Sequence, residues 1–217
     1  MPLMLYAHPF SSYCQKVLIA LYENDTGFTL RLVNDEQGFA ELKTLWPYGK
    51  FPLLMDGNSR IVESSIIIEY LELHYPGPAP LLPRNPETAL DTRFMDRLFD
   101  NYVMTPMQKI VGDALRVQAS RDPAGVADAR AQLEISYSWL DSLLQNRPWA
   151  AGERFSLADC AAAPSLFYAD WAHEIDHRFA NLRAYRARLL ARPSIARVVD
   201  EARAYRGLFP LGAPDRD

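Results

Sequence analysis

Residues 8–21 read His-Pro-Phe-Ser-Ser-Tyr-Cys-Gln-Lys-Val-Leu-Ile-Ala-Leu, and the rest of the chain is organised around them. The apolar residues 3–7 before this stretch predict a short buried strand, and apolar residues at helical spacing after Ser11 predict a helix. Ser11 and Ser12 are both well placed to cap that helix. A strand, a tight turn and a helix N-terminus favour an anion site, because unpaired backbone N–H groups point outward there. By itself, however, the stretch favours a simple helix cap.

The first 75 residues alternate predicted strands and helices. Residues 28–33 alternate like a strand, and a short helix is predicted over residues 39–45. Two strands, at residues 51–55 and 60–62, flank the sequence Asp-Gly-Asn-Ser, which is a strong hairpin signal. A further helix is predicted over residues 64–75. This order predicts a small α/β layer with a mixed sheet.

A proline-rich stretch then predicts a boundary between two domains, because it can form neither a helix nor a central strand. We predict an α/β domain over residues 1–76, a stiff linker over residues 77–86 and an all-helical domain over residues 87–217. The helical domain is predicted to begin with one long helix over residues 87–119, with a kink at Pro106.

Local signals also predict the later helices. A second helix of this domain is predicted over residues 123–146, and the third is predicted to open with a capping box in which Ser156 is the N-cap and Asp159 stands three residues on. Two shorter helices are predicted around residues 182–190 and 194–204.

Composition limits the classes of function. The net charge is −4, and no basic stripe appears, which argues against a nucleic-acid partner. No apolar run is long enough to span a membrane, and the N-terminus lacks the pattern of a secretory signal. Cys14 and Cys160 are the only cysteines, and two such separated residues do not form a disulfide framework. We therefore expect a cytoplasmic protein with no membrane partner.

Residues 48–53, Tyr-Gly-Lys-Phe-Pro-Leu, form a second informative stretch. A proline that opens a strand behind a glycine turn suits a cis peptide bond. Such a turn exposes the backbone N–H and C=O of Phe51, which then suit an extended peptide ligand. From this fragment alone, a proline that simply ends a loop is as well supported as a cis-proline at a ligand site.

Glu63 and Ser64 form the third informative site, between a predicted strand and a predicted helix. The hydroxyl and backbone N–H of Ser64 suit a carboxylate, and the helix dipole adds to that attraction. Glu63 suits an ammonium group, so the pair fits the head group of an α-amino acid. A serine that merely caps a helix is the commoner reason for this pattern.

Taken together, these motifs resemble the glutathione transferase family. They are residues 11–17, 49–52 and 63–71, the proline linker, and residues 155–159 within an all-helical part, and they follow the family's order over nearly the whole chain. The resemblance implies a thioredoxin-like first domain of order βαβαββα, followed by the all-helical domain. It also implies glutathione as cosubstrate, no metal, and a homodimer.

The resemblance further implies roles for individual residues. Phe51 is similar to the residue that pairs with the cysteinyl backbone of glutathione, and Pro52 is similar to the family's cis-proline. Lys50 resembles the residue that meets the glycyl carboxylate. Glu63 and Ser64 resemble the pair that holds the γ-glutamyl group. Either of two aspartates is expected to reach the γ-glutamyl amine across the dimer, namely Asp96 or Asp100.

Ser11 resembles the catalytic serine of the serine-type classes, such as theta, zeta and tau-like members. Tyr6 stands where tyrosine-type members keep their catalytic hydroxyl, but the Arg-Gly-Arg sequence usual in those classes is missing. Ser12 occupies a place where many relatives have proline, so the choice between Ser11 and Ser12 stays open. Cys14 has the inner position of a Cys-x-x-Cys site whose first cysteine is replaced by Ser11, and we expect it to be buried and structural.

Candidates for the electrophile pocket are Phe10, Tyr102, Met107 and Trp171, although aromatic and methionine residues at helical spacing are more often core. The predicted function is that of a glutathione S-transferase, which conjugates the glutathione thiolate to small hydrophobic electrophiles in detoxification. One alternative is a glutathione-dependent isomerase or dehalogenase on the same scaffold. Another is a non-catalytic binding or regulatory protein of transferase-like fold.

Overall fold

The computed structural model describes residues 2–216 and begins with an α/β unit. Its elements are β1 (Leu3–Ala7), α1 (Ser12–Glu23), β2 (Phe28–Leu32), α2 (Glu36–Leu45), β3 (Leu53–Asp56), β4 (Ser59–Val62) and α3 (Ser64–His74). The strands form one sheet of order β2-β1-β3-β4. Strands β1 and β2 are parallel, and the other two pairs are antiparallel. The predicted mixed sheet of the thioredoxin-like fold is confirmed.

The alternation of side chains along β1 separates the two faces of the sheet. Leu5 and Ala7 belong to the large core that includes α1 and α3. Tyr6 points to the opposite face and packs with Leu42 of α2 and Leu53 of β3. Successive residues of a strand point to opposite faces, so a strand such as β1, with buried residues on both faces, requires packing on both sides.

The remainder of the described chain is helical. It contains α4 (Pro86–Leu98), a π-helical segment (Phe99–Met104), α5 (Thr105–Ala114), α6 (Pro123–Leu144), α7 (Leu157–Ala172), α8 (Ala180–Leu190) and α9 (Pro193–Ala202), with 3-10 turns at Gln118–Ser120 and Arg203–Leu208. Every residue of α7 is buried, so this helix forms the centre of the helical domain. Over residues 2–216, no helix combines the length and apolar character needed to cross a membrane.

The long helix predicted over residues 87–119 is interrupted and ends earlier. Pro106 lies in the first turn of α5, where its missing N–H costs nothing. A proline ring clashes with the carbonyl four residues before it, here that of Tyr102. That carbonyl instead accepts a hydrogen bond from the hydroxyl of Ser136 at 2.8 Å. The π-helical segment absorbs the mismatch, and the N–H of Thr105 bonds the carbonyl of Asp100.

The start of α7 shows the predicted partnership of Ser156 and Asp159. The backbone N–H of Ser156 donates to the Asp159 carboxylate at 2.8 Å. The other carboxylate oxygen accepts bonds from the N–H of Ala150 at 2.9 Å and from the hydroxyl of Tyr185 at 2.6 Å. Burial raises the pKa of Asp159 to about 6, although the carboxylate accepts these bonds. The central helix is thus held at its first turn by two neighbouring segments.

Candidate active site

The loop between α2 and β3 carries two of the special backbone conformations that the sequence suggested. The peptide bond between Phe51 and Pro52 is cis. Gly49 has a φ of +60°, a left-handed conformation that favours glycine. A Cβ atom at this position would also lie 3.0 Å from Cγ of Lys43. A side chain at position 49 would therefore meet both strain and a close contact.

Glu63 is held in an uncommon conformation immediately before α3. Its φ is +68°, and its side chain makes no capping hydrogen bond to the helix. A non-glycine residue in the left-handed region costs about 1–3 kcal/mol, and such residues concentrate at functional sites. Ser64, the first residue of α3, is buried. The N-terminus of α3 is therefore left without a side-chain cap from its own N-cap residue.

A cavity of about 300 Å³ lies beside this turn. All five residues predicted to contact glutathione line it: Lys50, Phe51, Pro52, Glu63 and Ser64. Its remaining lining residues are Tyr13, Trp46, Val62, Arg97, Asp100, Asn101 and Gln108. Both signs of charge are therefore present, and a cavity of this kind suits a ligand that itself carries both ammonium and carboxylate groups.

Ser11 is not among the residues that line this cavity. It is the N-cap of α1, and its hydroxyl accepts a hydrogen bond from the N–H of Cys14 at 3.4 Å. Ser12 is 8% exposed and lies within the first turn of the helix. The cavity wall on this side is Tyr13, whose pKa burial raises to about 12. The sequence analysis did not predict this contact of Tyr13.

Tyr6 and Cys14, the two other candidates near Ser11, lie away from the cavity. The Tyr6 hydroxyl donates to the carboxylate of Glu41 at 2.7 Å. Burial, followed by this hydrogen bond, raises the pKa of Tyr6 to about 12. Cys14 is completely buried in the core, and burial raises the pKa of its thiol to about 12. A thiol in this environment is inert, as expected for a structural cysteine.

A buried ionic network lies behind the cavity, and the sequence analysis did not predict it. The side chain of Lys16 is only 1% exposed, and its Nζ lies 2.5 Å from Asp96 and 2.9 Å from Asp100. The same ammonium donates to the hydroxyl of Ser65 at 2.9 Å. The network therefore connects α1 and α3 to the junction of α4 with the π-helical segment.

Arg97 completes the network at its solvent side. It contacts the carboxylates of Asp96 at 2.8 Å and Asp100 at 2.5 Å. Burial raises the pKa of Asp100, whereas the neighbouring cations lower it. The carboxylate of Asp96 is buried within its own chain, and its expected contact across a dimer stays a prediction. Asp100 is bound to the same cations but also lines the cavity.

The four residues predicted to form the electrophile pocket are not gathered into one cavity. Phe10 and Trp171 lie together, with ring centroids 6.4 Å apart. Met107 is buried in the large core, whereas Tyr102 is 53% exposed. Tyr102 lies in the π-helical segment and faces solvent, whereas Met107 lies in α5 and faces the core.

Two histidines four residues apart, His173 and His177, each contact neighbouring side chains. Nε2 of His173 lies 2.7 Å from the carboxylate of Glu134, and its Nδ1 lies 3.1 Å from Arg130. His177 lies 3.3 Å from Asp176 and is almost fully exposed. Within residues 2–216, no three side chains of metal-binding type are grouped together.

Comparisons with known proteins agree with this geometry. Residues 5–79 match the family model described as the N-terminal domain of glutathione S-transferase. Residues 123–188 match the model described as its C-terminal domain. The first match runs from the middle of β1 to beyond α3, and the second contains α6, α7 and most of α8.

Individual proteins are similar over nearly the whole chain. A crystal structure of a glutathione S-transferase from Methylobacterium radiotolerans, in complex with glutathione sulfonate, is 30% identical with a TM-score of 0.80, covering 92% of this chain and 95% of that one. FtsZ-localized protein A of Caulobacter vibrioides is 31% identical over 222 residues, covering 97% of this chain and 96% of the relative. A probable maleylacetoacetate isomerase of Vibrio cholerae is 28% identical over 215 residues, covering 93% and 97% respectively.

Proposed function

Because the chain belongs to the glutathione S-transferase family, we propose that it binds glutathione and transfers the thiolate to a small hydrophobic electrophile. The observation that carries this proposal is the cavity beside α3. Residues from the loop before β3 and from the turn after β4 meet there, and all five residues that the family resemblance assigns to glutathione line it. The relative from Methylobacterium radiotolerans was crystallised with a glutathione derivative, which supports the choice of ligand.

In this proposal, the cavity holds glutathione at its two ends. The backbone N–H and hydroxyl of Ser64, at the start of α3, bind the γ-glutamyl carboxylate, because unpaired N–H groups and the helix dipole favour an anion there. The carboxylate of Glu63 binds the γ-glutamyl ammonium. Lys50 binds the glycyl carboxylate, and the backbone of Phe51 pairs with the cysteinyl residue. Opposite charges at fixed positions then orient the thiol.

The thiol must ionise before it attacks. The reference pKa of such a thiol is about 8.5, so a lowering by two units requires about 2.7 kcal/mol of preferential stabilisation of the thiolate. In our proposal, the Ser11 hydroxyl donates a hydrogen bond to the sulfur anion, and the N-terminus of α1 adds to the stabilisation. The Ser11 hydroxyl accepts one bond from the N–H of Cys14, and its own proton remains available for this purpose.

Calorimetry of glutathione binding tests the ligand, and the pH dependence of thiolate absorbance on the same sample tests the chemistry. We expect binding, with a thiol that titrates well below pH 8 in the wild type and at higher pH in Ser11→Ala. Ser12→Ala is the matched control, because it removes a hydroxyl one position away. A larger change in Ser12→Ala would assign the catalytic role to Ser12. No binding to the wild type would overturn the proposal.

A second candidate is a protein that binds glutathione without turnover. Tyr13 rather than Ser11 lines the cavity, which favours this reading. This chain is also similar to the FtsZ-localized protein A of Caulobacter vibrioides, whose name states a localisation and no enzymatic activity. Conjugation of glutathione to 1-chloro-2,4-dinitrobenzene that is faster with the protein than without it would exclude this non-catalytic candidate. Glutathione-dependent isomerisation of a cis-enone, with glutathione recovered unchanged, would favour the activity named for the Vibrio cholerae relative.

The proposal includes a homodimer, as the family resemblance implies. Asp100 lines the cavity. In this proposal a second subunit closes the site near it. Sedimentation at concentrations from about 1 to 100 μM tests this, since a specific dimer with a typical interface stays associated in that range. A monomer at the highest concentration would remove this part of the proposal.

A further inference from the structure

Tyr13 is the second residue of α1, and its half-buried ring packs against the large core. Side chains of a helix lean towards its N-terminus, so a long side chain in the first turn projects past the start of the helix. The side chain of Tyr13 reaches the cavity beside α3 and forms part of its wall. It is one of the lining residues to which the proposed function gives no role.

The hydroxyl of Tyr13 makes no hydrogen bond with any of residues 2–216. Seven other tyrosine hydroxyls of this chain each donate to a carboxylate or a backbone carbonyl, namely those of Tyr6, Tyr22, Tyr70, Tyr75, Tyr137, Tyr168 and Tyr185. Because burial raises the pKa of Tyr13 to about 12, its hydroxyl keeps the proton at neutral pH. Tyr13 therefore presents an unused hydrogen-bond donor to the cavity.

The charged groups near this hydroxyl belong to one end of the cavity. After burial, the carboxylates of Asp100 and Glu63 raise the pKa of Tyr13, whereas the guanidinium of Arg97 lowers it. All three of these residues line the cavity together with Tyr13. Tyr13 therefore lies near the end that holds Glu63 and Ser64, where the proposed function places the γ-glutamyl group of glutathione.

The γ-glutamyl group ends in an ammonium and a carboxylate, and these need opposite kinds of partner. The carboxylates of Glu63 and Asp100 suit the ammonium, because an ammonium only donates hydrogen bonds. An ionised carboxylate only accepts them and has about four lone-pair positions. In the proposed function, the hydroxyl and N–H of Ser64 satisfy about two of these positions. The carboxylate can therefore accept a further bond from an uncharged donor such as the Tyr13 hydroxyl.

We propose that the Tyr13 hydroxyl donates a hydrogen bond to the α-carboxylate of the γ-glutamyl group, and that Tyr13 is a specificity-determining residue of the glutathione site. The head group is then held from two helices, by Ser64 at the start of α3 and by Tyr13 in the first turn of α1. A hydrogen bond to an ionised acceptor is stronger than one between neutral groups. The hydroxyl thus selects thiols that carry an α-amino acid head group over shorter thiols, such as cysteinylglycine, that lack it.

This inference rests on the proposed function, because it assumes that glutathione occupies the cavity. The main probe is S-methylglutathione, which has no thiol, so its affinity does not depend on stabilisation of a thiolate. Failure of the wild type to bind this probe would contradict the glutathione site and the inference together. Binding by the wild type that is unaffected by loss of the Tyr13 hydroxyl would contradict the inference alone.

Calorimetry with Tyr13→Phe tests the hydroxyl, because this variant keeps the ring that packs against the core and loses only the donor. We expect Tyr13→Phe to bind S-methylglutathione at least about tenfold more weakly than the wild type, the size expected for one hydrogen bond to a charged acceptor. Tyr22→Phe is the matched control, since it removes a hydroxyl from the same helix that donates to Glu201 instead. This control is expected to bind like the wild type.

Two further ligands identify the group that the hydroxyl binds. S-methylated 4-aminobutanoyl-cysteinylglycine lacks only the α-carboxylate, and S-methylated glutaryl-cysteinylglycine lacks only the ammonium. The wild type and Tyr13→Phe are expected to bind the first with equal affinity and to differ about tenfold for the second. Chemical-shift titrations extend these measurements to millimolar affinities. A tenfold difference for all three ligands would overturn the proposal, because the hydroxyl would then act without the carboxylate.

The thiol pKa of bound glutathione separates this role from direct stabilisation of the thiolate. From the pH dependence of thiolate absorbance, we expect the same thiol pKa in Tyr13→Phe as in the wild type. A raised thiol pKa in Tyr13→Phe, with unchanged affinity for S-methylglutathione, would overturn the proposal and assign the hydroxyl to the sulfur. Equal affinities of the two proteins for S-methylglutathione would overturn it whatever the thiol pKa.

Discussion

The N-termini of α1 and α3 lie near the same cavity, yet the first has a side-chain cap and the second has none. The first helix is capped by its own residue, because Ser11 has an extended backbone and accepts a bond from the N–H of Cys14. The third helix begins after a left-handed glutamate that makes no cap. Sequence signals alone predicted serine caps at both. The difference teaches that a serine at a helix start does not by itself show a cap, and that the backbone conformation of the preceding residue decides which N-terminus is left uncapped beside the cavity.

The largest expected effect concerns the residue that links these two helix starts. Lys16 of α1 donates to Ser65 of α3 and forms ion pairs with two buried carboxylates. Lys16→Met leaves those carboxylates without their ammonium, and we expect the free energy of unfolding at pH 7 to fall by about 3–5 kcal/mol. Chemical denaturation measures this loss.

The pH dependence of that variant checks the cause. Burial already raises the pKa of Asp100, and loss of Lys16 raises it further. A carboxyl whose pKa is raised by folding contributes more stability below that pKa and loses it as the pH rises. The deficit of Lys16→Met should therefore shrink between pH 7 and pH 5. A deficit that is the same at both pH values would mean that lost packing, rather than charge, causes the instability.

The second prediction concerns the thiol in the first turn of α1. A helix N-terminus usually lowers the pKa of a cysteine, but burial raises that of Cys14 to about 12. A rise of about three units above the reference pKa lowers the thiolate fraction, and hence alkylation at pH 8, by roughly a thousandfold. Rates with iodoacetamide in native and unfolded protein, with Cys160→Ala as background, measure this. Rapid alkylation of native Cys14 would show that the helix terminus outweighs burial.

The third prediction separates strain from binding at α3. Glu63→Gly removes the penalty of the left-handed backbone and is expected to raise the free energy of unfolding by about 1 kcal/mol. It also removes the carboxylate proposed to hold an ammonium, so glutathione affinity is expected to fall by roughly 10- to 100-fold. Glu63→Gln is the control, since it weakens binding without relieving the backbone. A Glu63→Gly variant that binds normally would remove Glu63 from the site.

The smallest effect compares the two serines directly. Ser11→Ala removes a helix cap and is expected to cost about 1 kcal/mol of stability. Ser64→Ala removes a hydroxyl that makes no capping bond, and we expect a change within about 0.5 kcal/mol. Thermal unfolding of both variants without ligand measures the difference. Equal losses of stability in the two variants would mean that the hydroxyls of Ser11 and Ser64 contribute equally to their helix N-termini.

Much of this architecture was predictable because its signals are local. The hairpin, the α1 cap at Ser11, the turn at Gly49 and the motif of Ser156 with Asp159 each depend on residues within a few positions of one another. The predicted α/β and helical parts are confirmed for the same reason. The helix over residues 87–119 was less accurate, because a proline shows where strain occurs but not how the backbone relieves it.

The sequence by itself therefore determined the order of the elements, the fold class and five of the residues that line the cavity. The tertiary structure alone decided that Lys16 meets Asp100 across 84 positions, that Tyr13 forms the cavity wall, and that Phe209 packs against Trp171. Turns and caps arise from neighbouring groups whose geometry is limited by the backbone. Pairing of buried charges and filling of internal space depend on residues that are far apart in the sequence. A local sequence pattern therefore does not predict which residues will be in contact.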